Sequence, residues 1–437
     1  MKRILASVFL IALTFGLLMG INIPLTASAA DKPVLTIYNW ADYIDLEVID
    51  EFEEANNVDV VYSTFDTNEQ MLGTINIDTS SAIDLICPSD YAIERMLAND
   101  MIFEIDISQI TNYTNVNSSI MDKIDEEFGD LASNKKMSDY FVPYFYGTVG
   151  ILYNTKYVEK SVAEEAGYGL LWNTPNISAL NGKILMKDSV REAYLAGLLY
   201  LKETNRLPEK YEAMLISELI NTINDELLGL VETEFKEQKK ILSEYEVDTG
   251  KNYMVEESSY VELAWSGDAL FAMEENEDLD FFVPSVGGNI WFDGWVIPKT
   301  SNNKDLAMKF IDFLLRPDIA MRNSMEVGYT SAVKEESIRA SADAIAIIED
   351  GGFDLDEFFD DETRYPDLEN TSLVLMRDFD ETKLVTMWER VKAPDSVTSQ
   401  NLIIYYILIP IGAVILIGLV VFLILKNKKQ RKVVESE

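Results

Sequence analysis

Aromatic rings and carboxylates recur in this sequence at points where an apolar, strand-like run ends. The first such point follows residues 34–38 and carries Trp40, Asp42 and Tyr43. Ring faces attract cations, and carboxylates accept hydrogen bonds from ammonium groups, so the set would suit an organic amine with several charges. Similar residues follow or flank other runs: Ser89 and Tyr91, Asp188, Ser189 and Glu192, Trp265, Trp291 and Asp293, and Tyr329.

A polyamine alternates charge and hydrocarbon, and this set alternates acids and rings. Alkyl amines titrate near the lysine value of about 10, so each nitrogen keeps its proton at neutral pH. A ring face over an ammonium contributes roughly 0.5–2 kcal/mol, and a buried methylene contributes roughly 0.8 kcal/mol. These contributions combine only if the fold brings the strand ends together.

Each of these residues also has an ordinary structural explanation. A single Trp or Tyr near a strand end usually packs in the core or at its rim. Ser89, Asp188 and Ser189 could cap the helices that follow them, and Asp293 beside a glycine could form a turn. Glu192 in a first helical turn would favour the helix dipole whether or not it binds a ligand.

The elements that must position these residues alternate between strand and helix patterns. Residues 34–38, 58–62 and 83–87 are typical of strands, with helices predicted over 44–55, 69–77 and from about 92. This order predicts an α/β fold with a parallel sheet, in which ligands bind at the carboxyl ends of the strands. Later predictions are strands at 183–186, 261–264 and 292–297, helices at 190–202, 209–244, 266–274 and 303–315, and an acidic surface loop at 349–361.

The amino-acid composition excludes several kinds of catalytic and metal site. The 437 residues include one Cys and no His, which removes disulfides, Ser-His-Asp triads and His/Cys zinc clusters. No phosphate-binding loop, dinucleotide motif or zinc-protease motif occurs, so we predict neither a catalytic activity nor a cofactor. The net charge is −39, which argues against nucleic acid as a partner and would attract polycations. A solvated, self-repelling surface that keeps the protein in solution explains the larger share of this charge.

The two ends carry targeting patterns. Residues 1–30 combine Lys2, Arg3, a long uncharged stretch and Ala27-Ser-Ala29, and predict a signal peptide or an N-terminal anchor. Residues 402–425 carry no charge and as a helix would span roughly 36 Å, enough to cross a bilayer. The basic tail 426–437 indicates a cytoplasmic C-terminus, with a linker at 394–401.

Several segments together resemble one family, the extracytoplasmic spermidine/putrescine-binding proteins of bacterial ABC importers. The resemblance covers roughly residues 33–393. It rests on residues 38–43 (Tyr-Asn-Trp-Ala-Asp-Tyr), 62–69 (Tyr-Ser-Thr-Phe-Asp-Thr-Asn-Glu), 88–91 (Pro-Ser-Asp-Tyr), 188–192 (Asp-Ser-Val-Arg-Glu), 291–293 (Trp-Phe-Asp) and 313–318 (Phe-Leu-Leu-Arg-Pro-Asp).

The resemblance implies a two-lobe, periplasmic-binding-protein-like clamp, with lobe 1 at 31–144 and 294–337 and lobe 2 at 145–293 and 338–393. It also implies a protein that closes over a polyamine and presents it to a permease. The predicted span at 402–425 departs from the family, whose usual form is lipid-bound or free in the periplasm, and it predicts a membrane-anchored monomer. Ser189 stands where the family often has a carboxylate. The ligand-contact positions that the resemblance implies are Trp40, Asp42, Tyr43, Ser89, Tyr91, Ser189, Glu192, Trp265, Trp291, Asp293 and Tyr329.

Three alternatives remain open from the sequence. A clamp for an amino acid or another small solute would need a basic residue for a carboxylate, and only Arg191 is near the set. A single-pass sensor receptor would use the same site for signalling, although only a dozen residues follow the predicted span. A carboxylate pair could instead hydrolyse glycosides.

Overall fold

The computed structural model describes residues 32–77, 83–129 and 135–394. The predicted signal segment at 1–30, the linker from residue 395, the span at 402–425 and the tail at 426–437 lie outside these ranges and remain predictions. Within the described ranges, no helix combines the length and the apolar character needed to cross a membrane.

Strands and helices alternate along most of the described chain. The strands are β1 Val34–Trp40, β2 Asp59–Phe65, β3 Leu85–Ile86, β4 Val142–Asn154, β5 Ile184–Lys187, β6 Leu242–Glu246, β7 Val261–Trp265, β8 Leu279–Phe282, β9 Gly288–Trp295, β10 Thr330–Ser331 and β11 Leu373–Val374. The α-helices are α1 Leu46–Asn56, α2 Asn68–Ile77, α3 Asp90–Ala98, α4 Ser118–Phe128, α5 Lys160–Ala166, α6 Val190–Glu203, α7 Glu209–Glu212, α8 Ile216–Ile220, α9 Asp225–Gln238, α10 Gly250–Val255, α11 Ser266–Glu275, α12 Lys304–Leu314, α13 Pro317–Val327, α14 Glu335–Arg339, α15 Ala342–Asp350, α16 Leu355–Asp360 and α17 Thr382–Lys392.

Contacts divide the chain into two compact units. Unit 1 contains the described residues up to Lys156 together with Ala264–Asp378, and unit 2 contains Tyr157–Leu263 together with the described residues from Phe379. The chain therefore passes between the units three times, after Lys156, Leu263 and Asp378.

The first sheet of unit 1 is parallel, as the βαβαβα rhythm predicts. Its strand order is β2–β1–β3, and β1 pairs with β2 from Val34↔Asp59 to Trp40↔Phe65. Leu35 and Ile37 point into the core and are fully buried. Helix α1 is capped by Asp45, whose side chain accepts a hydrogen bond from the Glu47 amide. All three strands run the same way, so Trp40 lies at the carboxyl edge of this sheet.

The second sheet of unit 1 is built on β4, a strand of 13 buried residues. Strand β9 pairs antiparallel with β4 from Val142↔Trp295 to Thr148↔Ile290, and β8 and β10 also pair with β4. This pairing places Trp291 and Asp293 in unit 1, whereas the predicted lobe boundaries put residues 145–293 in lobe 2.

Helices α14, α15 and α16, which follow β10, also belong to unit 1. Ile338, Ile348, Phe358 and Phe359 are buried in the same hydrophobic cluster as Phe310 on α12. The compact units therefore divide the chain at residues other than the predicted lobe boundaries, because these buried side chains complete the unit 1 core. The prediction of a surface loop at 349–361 was wrong for α16, which buries Phe358 and Phe359.

Unit 2 has a small parallel sheet in which β5 lies between β6 and β7. Ile184 pairs with Leu242 on one side and with Val261 on the other. Helix α6 follows β5 at once and is buried along most of its length. The predicted continuous helix at 209–244 is instead three helices and β6. Asn224 breaks it, because its side chain accepts hydrogen bonds from the Glu226 and Leu227 amides and starts α9.

Candidate ligand-binding site

The ends of two strands of unit 1, β1 and β3, meet Asp293, which lies within β9. The Tyr43 hydroxyl, on the turn after β1, donates a hydrogen bond of 2.6 Å to Asp293 Oδ2. Ser89, which follows β3, forms an isolated antiparallel bridge with Asp293 on β9. Residues 250 positions apart in the sequence are therefore in direct contact, as the prediction of converging strand ends required.

Aromatic rings form a continuous row beside this carboxylate. Ring centroids lie 6.4 Å apart for Trp40 and Tyr43, 5.6 Å apart for Tyr43 and Tyr329, and 5.2 Å apart for Tyr329 and Trp291. We call Trp40, Tyr43, Trp291, Asp293 and Tyr329 the aromatic–acid cluster. All five were predicted from the sequence, and the structure brings them together in unit 1.

Asp293 is the electrostatic centre of this cluster. Its side chain is only 4% exposed, and burial raises its pKa from 3.8 to about 6, while the hydrogen bond from Tyr43 opposes that rise. At neutral pH the group is therefore ionised in a poorly solvated place. A cation beside it would relieve that unfavourable burial and lower the pKa again.

Three polar atoms in the cluster are buried without a hydrogen-bond partner among the described residues. They are Asp293 Oδ1 and the indole Nε1 atoms of Trp40 and Trp291. Buried polar atoms are nearly always paired, so an unpaired group of this kind indicates contact with a ligand or with water. The free carboxylate oxygen is an acceptor, which is what an ammonium group needs.

Asn68 holds two more of the predicted residues, Ser89 and Tyr91, by hydrogen bonds. Its amide nitrogen donates to Ser89 Oγ at 3.1 Å and to Tyr91 Oη at 3.0 Å, and its Oδ1 accepts from the Ser89 amide. The Tyr91 hydroxyl donates in turn to Glu69 at 3.0 Å. Ser89 stands at the N-cap of α3 but makes no side-chain capping bond, so capping does not explain it.

Several supporting residues were missed from the sequence. Phe65 packs against Trp40 with centroids 4.6 Å apart, and Asn68 orients Ser89 and Tyr91. Both lie in the segment 62–69, whose resemblance to the family was the available signal. Gly267 was also missed: a Cβ there would lie 2.2 Å from the Tyr329 ring, so only glycine lets the backbone pack on that ring.

Asp42 and Trp265 are less closely tied to the cluster. Asp42 is exposed and adopts a left-handed backbone conformation with φ of 50° in the turn between Trp40 and Tyr43. Trp265 is half-buried at the end of β7. Their contact with a ligand remains a prediction.

In unit 2, Ser189 and Glu192 lie together at the start of α6. The Ser189 hydroxyl donates a hydrogen bond to Glu192 Oε2, and both side chains are half-buried. Ser189 makes no side-chain capping bond to the helix. Asp188 has a different role, because it accepts hydrogen bonds from Trp388 Nε1 at 2.6 Å and Lys392 Nζ at 3.0 Å.

The described residues contain no group of three or more His, Cys, Asp or Glu side chains placed to hold a metal ion. In the aromatic–acid cluster, one buried acid and four rings supply attraction, hydrogen bonding and apolar contact, but no nucleophile activated by a base.

This chain is similar to known proteins over most of its length. The family model described as bacterial extracellular solute-binding protein matches residues 47–345, more than half of the chain. The spermidine/putrescine-binding periplasmic protein of Escherichia coli (strain K12) is 28% identical over 307 residues, which are 69% of this chain and 78% of that protein. The putrescine-binding periplasmic protein PotF of the same organism is 26% identical over 346 residues, 77% of this chain and 87% of that protein.

The fold also matches a solved structure. The spermidine/putrescine ABC transporter substrate-binding protein PotD from Streptococcus pneumoniae has a TM-score of 0.61 and 28% identity, over 82% of this chain and 97% of that chain. This match confirms the predicted α/β, periplasmic-binding-protein-like fold. With the family match over residues 47–345, it shows that this chain belongs to the bacterial extracellular solute-binding proteins.

Proposed function

We propose that this protein is the polyamine-binding subunit of an ABC import system. It captures spermidine or putrescine outside the cytoplasm and delivers it to a permease, without a catalytic step. The observation that carries the proposal is the buried Asp293 carboxylate, which keeps one oxygen unpaired beside the rings of the aromatic–acid cluster. Two proteins that are similar to this chain over most of its length are named as spermidine/putrescine- or putrescine-binding proteins, and this supports the same ligand class.

The cluster suits an ammonium group joined to methylenes. Asp293 Oδ1 accepts an N–H of the ammonium, and Tyr43 holds the other carboxylate oxygen. Ring faces of Trp291 and Tyr329 attract the charge, roughly 0.5–2 kcal/mol for each ring. The same faces cover the methylenes on either side, which adds roughly 0.8 kcal/mol for each buried CH₂.

The remaining predicted residues extend this proposal. Ser89, Tyr91, Asp42 and Trp265 would complete the contacts made from unit 1. Ser189 and Glu192 would receive another ammonium, with Ser189 fixing the Glu192 carboxylate. Capture by closure of the two lobes, as the resemblance implies, belongs to the proposal as well.

Arg191 favours a polyamine over an amino acid. It is the one basic residue near the predicted set, and a ligand carboxylate would need it. In the structure its guanidinium is 3% exposed and pairs with Glu381, with Nη2 and Oε1 2.5 Å apart. A guanidinium already committed to a buried carboxylate is a poor site for a second anion.

The attachment of the protein to the cell is the second part of the proposal. Residues 402–425 would anchor a monomer in the membrane, with the described residues outside and the basic tail inside. Anchoring would raise the local concentration of the binding protein at its permease.

Titration calorimetry of the purified full chain tests the ligand class. We expect saturable binding of spermidine or putrescine and none of glutamate at the same concentration, because Arg191 is paired. Absence of any heat or change in Trp fluorescence at millimolar polyamine would contradict the proposal, and so would preferential binding of glutamate.

A further inference from the structure

A backbone amide fixes the direction of each hydrogen bond around the Asn68 side chain. Asn68 is 3% exposed, and its Oδ1 lies 3.2 Å from the Ser89 backbone nitrogen. A backbone N–H can only donate, so the side-chain atom that it meets is the carbonyl oxygen of Asn68. The other branch of the same side chain is therefore the amide nitrogen, which lies 3.1 Å from Ser89 Oγ and 3.0 Å from Tyr91 Oη.

Both hydroxyl groups accept a hydrogen from Asn68, because an amide nitrogen carries two hydrogens and cannot accept one. Each hydroxyl then keeps its own proton for another acceptor. Tyr91 donates to Glu69 Oε1, which lies 3.0 Å away. Ser89 donates to the carboxylate of Asp293, with which it also forms an isolated backbone bridge. One buried amide thus orients two hydroxyl groups, and each of them points to an acid.

The hydrogen bond from Ser89 acts on an acid that is poorly solvated. Asp293 is 4% exposed, and burial raises its pKa to about 6, whereas the hydrogen bonds from Tyr43 and Ser89 lower it. A carboxylate that receives two such hydrogens stays ionised at a lower pH than one that receives a single hydrogen. The ionised form is also the stronger acceptor for an ammonium group.

Other titratable groups lie beside the Asp293 carboxylate. The Tyr43 phenol and the Cys87 thiol are buried close to it, and burial raises the pKa of both above their ordinary values, so they stay neutral between pH 5 and pH 8. Asp90 Oδ2 accepts a hydrogen bond from the amide of Phe292, the residue before the carboxylate. None of these groups changes in the variants below.

We propose that Asn68 is a positioning residue for the ligand site: by donating to Ser89 Oγ, it directs the Ser89 hydroxyl to Asp293 and keeps that carboxylate ready to accept an ammonium group. The inference rests on the proposed function, since it takes Asp293 as the acid that binds the amine. In this proposal Asn68 contacts no ligand and acts through Ser89. Asparagine suits the position, because one side chain must accept from the Ser89 amide and donate to its hydroxyl.

Asn68→Asp tests the direction of these hydrogen bonds with little change of shape. The new carboxylate still accepts from the Ser89 amide, but it has no hydrogen to give, so the Ser89 hydroxyl turns to it and Asp293 loses one donor. In calorimetry of the full chain with spermidine, the pH midpoint of binding should rise by about half a pH unit or more from its wild-type value. An unmoved midpoint overturns the inference, whatever the change in affinity.

A double variant separates the direction of the hydrogen bond from the added charge. The new carboxylate also repels the ionised Asp293, which would raise the midpoint by itself. Ser89→Ala removes the donor without adding charge, and it should raise the midpoint as well. Once that hydroxyl is gone, Asn68→Asp has no Ser89 proton to withdraw, so the double variant should have nearly the same midpoint as Asn68→Asp alone. Two shifts that simply add would contradict the inference.

Ser89→Ala by itself decides the question if Asn68→Asp does not fold. A midpoint that Ser89→Ala leaves unchanged would show that this hydroxyl does not stabilise the charge of Asp293, and the inference fails. Wild-type protein that binds no spermidine at any pH would count against the proposed function instead.

Asn57→Asp is a matched control for the added charge. Asn57 is exposed and ends α1 just before β2, and this strand separates it by about 20 Å from Phe65, which packs on Trp40. Its midpoint should stay within about 0.2 pH unit of the wild type, because exposed charges this far apart are screened. A shift equal to that of Asn68→Asp would show that any added acid suffices and would overturn the inference.

Discussion

Unit 1 and unit 2 each hold a carboxylate that we propose as a ligand contact, and the surroundings of the two carboxylates differ. Asp293 in unit 1 is buried beside rings, and its neighbours are uncharged hydroxyl and aromatic groups. Glu192 in unit 2 is half-buried on a turn whose other charges are neutralised by the segment 379–392. Desolvation raises the pKa of the first carboxylate and makes it sensitive to pH, whereas the second accepts a hydrogen bond from the Ser189 hydroxyl and lies between residues whose charges are paired.

The largest effect that we expect is on the stability of the folded protein, and it tests whether burial of Asp293 distinguishes unit 1 from unit 2. Burial raises the pKa of Asp293 to about 6, so the folded protein binds more protons than the unfolded chain between about pH 4 and pH 6. Stability of the ligand-free protein is therefore lost as pH rises through that window, by about 3 kcal/mol at most. Asp293→Asn should remove this loss and raise the melting temperature at pH 7.

Thermal melts of both proteins at pH 4.5 and pH 7.5 measure this effect. The melting curves of wild type and Asp293→Asn should differ more at pH 7.5 than at pH 4.5. Asp59→Asn serves as the control, because Asp59 is exposed and lies at the opposite end of β1 and β2 from Trp40. Equal melting temperatures for wild type and Asp293→Asn at both pH values would show that burial of this carboxylate is not unfavourable.

The second largest effect that we expect is on polyamine affinity, which should depend on the charge of Asp293. Asp293→Asn replaces the ionised acceptor by a neutral one of similar shape, and it should weaken polyamine binding more than tenfold, about 1.4 kcal/mol, with the fold intact. In the wild type, affinity should fall as pH drops below about 6, because protonated Asp293 no longer attracts an ammonium. Calorimetry across pH 5–8 checks both statements, and a pH-independent wild type would contradict the second.

Tyr43→Phe sharpens the comparison by changing Asp293 without removing its charge. The hydroxyl donates to Asp293 Oδ2 and lowers its pKa, so its loss should move the pH midpoint of binding upward. Affinity at pH 7 should fall by about 1 kcal/mol, the usual contribution of one hydrogen bond. The same pH series measures the midpoint, and a midpoint that stays in place or moves down would exclude this role for Tyr43.

The sequence predicted the cluster because its members share a local signature, a ring or an acid next to an apolar run. Trp40 and Tyr43 follow such a run, whereas Trp291 and Asp293 stand just before the extended run predicted at 294–297. The parallel order of β1–β3 made convergence at one edge a reasonable expectation. Asn68 and Phe65 lack it, since an amide on a helix and a phenylalanine in a strand have many ordinary roles.

The partners of charged residues could not be predicted at all. Nothing local relates Arg191 to Glu381 or Asp188 to Lys392, because each pair is about 200 positions apart and depends on the packing of the C-terminal segment. The compact units differ from the predicted lobe boundaries for a similar reason. The pairing of β4 with β9 and the burial of Phe358 and Phe359 are non-local, and they decide which segments share a core.

The smallest expected effect concerns the backbone behind the rings. Gly267→Ala would place a methyl group 2.2 Å from a carbon of the Tyr329 ring, so the ring must shift away from the cluster. Loss of part of one ring–cation contact corresponds to about 0.5 kcal/mol, or roughly a twofold to threefold loss of affinity. Gly229→Ala on α9 is a matched control, because a Cβ there meets no atom within 4 Å. Calorimetry with putrescine should separate the two variants, and equal affinities would place Tyr329 outside the ligand contacts, leaving Asp293 and Trp291 to hold the ammonium.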